Sequence, residues 1–361
     1  MRTKITIFLL FYFTHIFGQD LNEFAKNILI KYNIPEISFA VVTKDSILAK
    51  NTLGHRQFNQ INDNQNATSK DLFHLGSNTK AITSFIAAYL VENGKINWNT
   101  KFFDLFPNLK LKSNSKYYNI TLEELLMHRG RIQPFTSGLE YKQLPKFIGD
   151  KNKQRNQFSQ YVLTLPAIEN NKDYNYSNAG YSIASMMLEK VSKKSWEKLI
   201  EEVLINRLNI NVAFGWPNRN LENQPYGHWI ENGKLVSILP NIDYNLNLAE
   251  PAGDLSMNIE NYSKFIQLNI DGLSGNDNFL KSTTYKYLHT SKKHYALGWG
   301  NFESTNNQIS EHSGSDGTFF AYTQIDRKNL MGYIVFVNSG TENAQKGVFE
   351  MIKEMKNKIH R

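Results

Sequence analysis

The two stretches of this chain richest in β-branched and aromatic residues stand at opposite ends: ISFAVVT and SILAKNTLG within residues 37–54, TFFAYTQID and LMGYIVFVNSG within residues 318–340. Strands must pair their backbone N–H and C=O groups, so this pattern asks the two ends to meet. Lys44-Asp45 divides the first pair and Arg327-Lys328-Asn329 the second, which reads as two hairpins. One antiparallel sheet built from both ends is the expectation. A helical pattern of Leu21, Phe24, Ala25, Ile28 and Leu29 precedes it and stops before Ile34-Pro35. Val348, Met351, Ile352, Met355 and Ile359 mark one face of a helix after it. These two helices are expected to flank the sheet in an α+β fold.

Between the β-rich ends the signals turn helical, as in TLEELLMHR, YSIASMMLEKV and SWEKLIEEVLINRL. The expected organisation is an α/β part over about residues 21–75 and 250–361, with a mainly helical region over about 76–249 inserted into it. A hydrophobic content of 41% in 361 residues is enough to bury a core of that size.

The chain begins MRTKITIFLLFYFTHIFGQD, with Arg2 and Lys4 ahead of an uncharged apolar run and Gly18 behind it. Residues 1–18 therefore read as a signal peptide, since the run is shorter than the roughly 20 residues of a spanning helix. The expectation is an exported chain, periplasmic or secreted, with no stable membrane insertion after cleavage. Cysteine is absent, which excludes disulfides and a lipid-modified N-terminal cysteine. The net charge of 41 − 33 = +8 comes from scattered residues, so it gives nucleic-acid binding little support. His-Glu-x-x-His and paired Cys/His spacings do not occur, and neither a metal nor another cofactor is expected. Nothing in the sequence bears on oligomeric state.

The segment FHLGSNTK places Ser77 and Lys80 three residues apart at the head of an apolar run, Ile82, Phe85, Ile86, Tyr89 and Leu90. A serine hydroxyl needs a base within reach and donors for the oxyanion formed on attack. Ser-x-x-Lys on a helix supplies the first, and the unpaired N–H groups of a helix start supply part of the second. The same pattern also suits a helix-capping serine followed by a surface lysine. Ser113/Lys116 and Ser195/Lys198 repeat it elsewhere in polar or amphipathic settings. Two further motifs add context: Tyr176-Ser177-Asn178 opens a second helix, and His312-Ser313-Gly314 leads into a late strand. Each has a decoy, Tyr117-Tyr118-Asn119 and His128-Arg129-Gly130.

Taken in order, FHLGSNTK, LLMHRG, YSNAGY, EPAGDLSMN and HSGSDGTF resemble five boxes of the penicillin-recognising serine hydrolases. That family comprises class C β-lactamases, D-alanyl-D-alanine carboxypeptidases and related esterases and peptidases. The resemblance implies a β-lactamase-like fold with the nucleophile helix at the interface of its two parts. It also implies that Ser77 attacks an acyl carbonyl while Lys80 and Tyr176 share the proton work, a cationic Lys80 helping to keep Tyr176 ionised or ready to relay a proton. Asn178 would bond the substrate amide or Lys80. The backbone N–H groups of Ser77 and Ser315 would hold the oxyanion, with His312 and Gly314 on the substrate-binding strand. His128 matches a structural segment of the family. One departure bears on substrate: His312-Ser313-Gly314 stands where β-lactamases commonly have Lys-Thr-Gly, and histidine is only partly charged near pH 7. An exported hydrolase of a small-molecule ester, a peptide or a cell-wall-derived compound is therefore expected, an esterase or small-peptide hydrolase ahead of a β-lactamase or D,D-carboxypeptidase. A third reading is a non-catalytic receptor for peptides or cell-wall fragments on the same fold.

Overall fold

The computed structural model describes residues 19–60, 65–170, 172, 174–242, 248–302 and 308–359, so the signal-peptide expectation for residues 1–18 lies outside them. The strands in chain order are β1 (Glu36–Val42), β2 (Ile47–Gly54), β3 (Phe73–His74), β4 (Ala213–Phe214), β5 (His228–Glu231), β6 (Lys234–Ser237), β7 (Leu255–Met257), β8 (His294–Tyr295), β9 (Gly300–Asn301), β10 (Ile309–Ser315), β11 (Phe320–Asp326) and β12 (Met331–Val337). The main helices are α1 (19–32), α2 (Thr79–Glu92), α3 (Lys151–Val162), α4 (Asn178–Ser192), α5 (Ile259–Leu273) and α6 (Glu342–Ile359).

Both ends of the chain meet in one seven-stranded sheet of order β2-β1-β12-β11-β10-β9-β8, with antiparallel neighbours throughout. The join is β1 on β12, where Phe39 lies opposite Val335. Strand alternation then sorts the side chains. Ile37, Phe39, Val41, Tyr333, Val335 and Val337 face one way and share a core with Leu21, Ala25 and Ile28 of α1 and Val348, Met351 and Met355 of α6. Ala40, Val42, Ala321, Ile325, Ile334 and Phe336 face the other way and join the larger core that holds α2 and α5. Each large apolar side chain so buried contributes about 1.5–3 kcal/mol.

The region from 76 to 249 is mainly helical, as expected, but it also carries β4 and the β5–β6 hairpin. β4 pairs with β7, and β7 with β3, in a small second sheet that ties this region to the chain just ahead of Ser77. These strands are two or three residues long, too short for a period of two to register in sequence.

Helix α2 runs through the middle of the molecule, and every side chain from Thr79 to Ala88 is buried. Phe85 packs on Phe265 and Phe279. Thr83 donates to the Pro251 carbonyl at 2.7 Å and accepts from the Trp196 indole at 3.1 Å. The Asn78 amide donates to Ala321 of β11 at 3.1 Å. The start of α2 is thus fixed from both the sheet and the helical region. Among the described residues no helix is long and apolar enough to cross a membrane.

Candidate active site

Ser77 lies in a 3₁₀ turn, Gly76–Asn78, that leads directly into α2, and no side chain caps the start of either element. Its hydroxyl instead meets Lys80, whose Nζ is 3.0 Å from Ser77 Oγ. The two look-alikes behave otherwise. Ser195 accepts from the Lys198 backbone as a helix cap, and the Ser113 hydroxyl donates to the Leu109 carbonyl.

Lys80 is fully buried, and that burial holds its amine well below the ordinary lysine range. Besides Ser77 it reaches Asn178 Oδ1 at 2.7 Å and the Ala252 carbonyl at 2.8 Å. Both of these oxygens can only accept, so they take two N–H donors. A neutral amine placed this way keeps its lone pair for the third partner, the Ser77 hydroxyl, and can take its proton.

The segment Tyr176-Ser177-Asn178 is set by capping. Ser177 accepts from the Gly180 N–H at 3.0 Å and donates to the Gln133 carbonyl at 2.7 Å. The Ser177 N–H donates to His128 Nδ1 at 3.1 Å, so this buried, neutral histidine holds the turn in place. Asn178 then spans from Lys80 to the Phe135 carbonyl, which its amide reaches at 2.9 Å. Of the two partners expected for Asn178, Lys80 is the one it has here.

Lys80 lies against the Tyr176 ring, its Nζ 4.6 Å from the centroid. Burial pushes the Tyr176 phenol well above the ordinary tyrosine value, and the Ser77 hydroxyl offsets only part of this. Of the two states expected for Tyr176, the ionised one beside a cationic Lys80 is therefore corrected. Desolvation acts on both groups and favours a neutral amine beside a neutral phenol.

Gly76 and Gly314 bring β10 onto the Ser77 turn. Gly76 has φ +49°, and a Cβ there would lie 2.3 Å from the Ser315 nitrogen. A Cβ on Gly314 would lie 2.6 Å from the Ser77 nitrogen. Only hydrogen fits on either side, and this contact brings the Ser77 and Ser315 backbone segments together. The Ser315 hydroxyl is turned away to the Phe319 carbonyl at 2.6 Å.

His312 does not offer the partial charge expected of it. Its Nδ1 faces the Ser313 carbonyl at 2.6 Å and so carries the proton, while Nε2 takes the Tyr295 hydroxyl at 2.8 Å. Burial pulls it down to about 3. The correction is from a partly charged substrate contact to a neutral, bonded imidazole. Reading the sequence missed three further contributors: the Ala252 carbonyl, Tyr295, and His74 behind the Ser77 turn. EPAGD marked the segment of the first, but a backbone acceptor has no residue signature. Tyr295 lies outside all five boxes.

The fold defines the class, the proteins of β-lactamase fold. The family model described as Beta-lactamase matches residues 20–348, and the chain belongs to that family. Over 334 residues it is 20% identical to Protein flp of Staphylococcus aureus (strain N315), covering 91% of this chain and 64% of that protein. The chain thus spans less than two thirds of that curated relative. The octameric penicillin-binding protein homologue from Pyrococcus abyssi superposes with a TM-score of 0.74 at 18% identity, over 94% of this chain and 77% of that one. D-alanine carboxypeptidase AmpC from Burkholderia cenocepacia does so with a TM-score of 0.70 at 15% identity, over 93% and 99%. At these identities the structural likeness concerns the fold.

Proposed function

We propose that this chain is an exported serine hydrolase that works through an acyl-enzyme on Ser77. The observation that carries the reading is the Lys80 amine, buried, 3.0 Å from Ser77 Oγ and with two carbonyl oxygens as its other partners. Lys80 takes the Ser77 proton as the hydroxyl attacks an ester or amide carbonyl. The Ser77 and Ser315 N–H groups receive the oxyanion. Tyr176, a neutral phenol beside the Ser77 hydroxyl, gives a proton to the leaving group and regains one from the water that later cleaves the acyl-enzyme, while Lys80 returns its proton to the departing Ser77 oxygen, which restores the neutral pair. Asn178 holds Lys80 in register.

Esters and small uncharged peptides suit this site better than β-lactams or D-Ala-D-Ala termini. A carboxylate-bearing substrate calls for a cation at the last box, and His312 is neutral with both ring nitrogens engaged. The test is a panel of kcat/KM values for short-chain p-nitrophenyl esters, uncharged dipeptide amides, nitrocefin and a D-Ala-D-Ala tripeptide. Turnover of esters or amides with little on the last two is expected. The reverse order would make the chain a β-lactamase or D,D-carboxypeptidase.

A further inference from the structure

His74 stands three residues ahead of Ser77, 1% exposed, and the proton chemistry above leaves it unused. Its Nε2 is 3.1 Å from Asp254 Oδ1, just ahead of β7. Its Nδ1 accepts from the Gly76 N–H at 3.3 Å and lies 3.5 Å from Asp316 Oδ2. Asp316 follows Ser315 and organises the β10–β11 turn, accepting from the Thr318 and Phe319 N–H groups at 2.8 Å each and from the Trp216 indole. One imidazole therefore touches both backbone segments assigned above to the oxyanion, through the residue before Ser77 and the residue after Ser315.

Nδ1 can serve only one of these partners at a time. Without a proton it accepts from Gly76. With one it becomes a donor, for which the Asp316 carboxylate is the acceptor in reach, and the Gly76 N–H loses its partner.

We propose that His74 is a positioning residue whose Nδ1 proton selects between two arrangements of the oxyanion pocket. The unprotonated ring fastens Gly76 and sets the Ser77 turn for acylation; the imidazolium turns to Asp316 and releases it. The inference rests on the Ser77 reading above. The charged groups facing the ring are Asp254 ahead of β7, Asp316 from the β10–β11 turn and, by its field, Arg219. Burial alone opposes the imidazolium. Asp316 and Asp254 outweigh it, with Arg219 opposing them, so the exchange falls above the ordinary histidine value of 6.5.

The test measures the rate at which a fluorophosphonate labels Ser77 between about pH 5.5 and 8.5, alongside NMR titration of the His74 ring. His74→Asn keeps an acceptor for Gly76 but cannot be protonated. His74→Gln is a second non-titrating variant that keeps a donor for Asp254, and near-UV circular dichroism checks the fold of both. The wild-type rate is expected to fall toward acid with the midpoint of the His74 ring. In His74→Asn that limb should vanish, leaving its rate at pH 6 about threefold or more above a wild-type chain whose His74 is mostly protonated. An unchanged acid limb in both variants, or a His74 midpoint more than about one unit from the limb, would overturn the proposal. Absence of Ser77 labelling in the wild type at every pH would instead sink the Ser77 reading beneath it.

Discussion

Replacing Gly314 with alanine asks how closely β10 must sit on the Ser77 turn. The added Cβ would lie 2.0 Å from the Leu75 carbonyl oxygen, 2.6 Å from the Ser77 nitrogen and 2.9 Å from the Asn78 nitrogen. Unstrained contacts of carbon begin near about 3.5 Å, so strand and turn must part by roughly 1 Å or more. All three atoms are backbone, and no rotamer change relieves them. Overpacking of this kind costs about 1–3 kcal/mol, which urea unfolding reads directly. The larger effect is on chemistry, because a displacement of about 1 Å in a reacting centre lowers turnover roughly a hundredfold. Gly138→Ala is the control, with nothing within 4 Å of its Cβ. The assay is kcat on a p-nitrophenyl ester beside a urea midpoint for each variant. A folded Gly314→Ala chain with kcat within about threefold of wild type would refute the claim that this contact forms the oxyanion pocket.

Lys80→Met and Tyr176→Phe should each retain the fold and lower kcat by about 10²-fold to 10⁴-fold, with less change in KM. Near-normal turnover in both would assign the proton path to other groups. Arg155, with no exposed surface, sits 2.8 Å from Glu189, 2.8 Å from Glu197 and 3.3 Å from Glu250. Arg155→Met strands these carboxylates and should cost about 3–5 kcal/mol in urea unfolding; a loss below about 1 kcal/mol would contradict the account. His228 is held neutral by burial, pulled down from 6.5 to about 4, with Nδ1 2.6 Å from the Asn338 carbonyl. The unfolded chain takes this proton first, so stability is lost as pH falls from 6.5 toward about 4. The slope is about 1.4 kcal/mol per pH unit for this one group, and His228→Asn should flatten the pH dependence of stability by that amount. An unchanged slope would mean His228 titrates alike in both states.

The sheet was legible because its long strands are rich in β-branched and aromatic residues and the hairpin turns stand between them. The β5–β6 hairpin also carries a signal, Asn232-Gly233, and both residues have the positive φ that such a turn requires. Its strands are only four residues each, so the turn does not stand out in a region otherwise read as helical. β4 and β7 offer too few residues for any pattern. In the site, the pairing of Ser77 with Lys80 could be read because helix geometry converts spacing into contact, while Tyr176 and Asn178 came from the family resemblance. Charge states could not. The low Lys80, the raised Tyr176 and the neutral His312 all follow from burial beneath parts of the chain distant in sequence, including Tyr295 over His312. The link between His74 and Asp316 likewise joins residues that only the fold brings together.

The most direct test of the central claim is the intact mass of the folded chain after exposure to a fluorophosphonate, with peptide mapping and Ser77→Ala as control. The account predicts one adduct per chain, on Ser77, and none in Ser77→Ala. No adduct on a folded wild-type sample, or an adduct that survives Ser77→Ala, would contradict it.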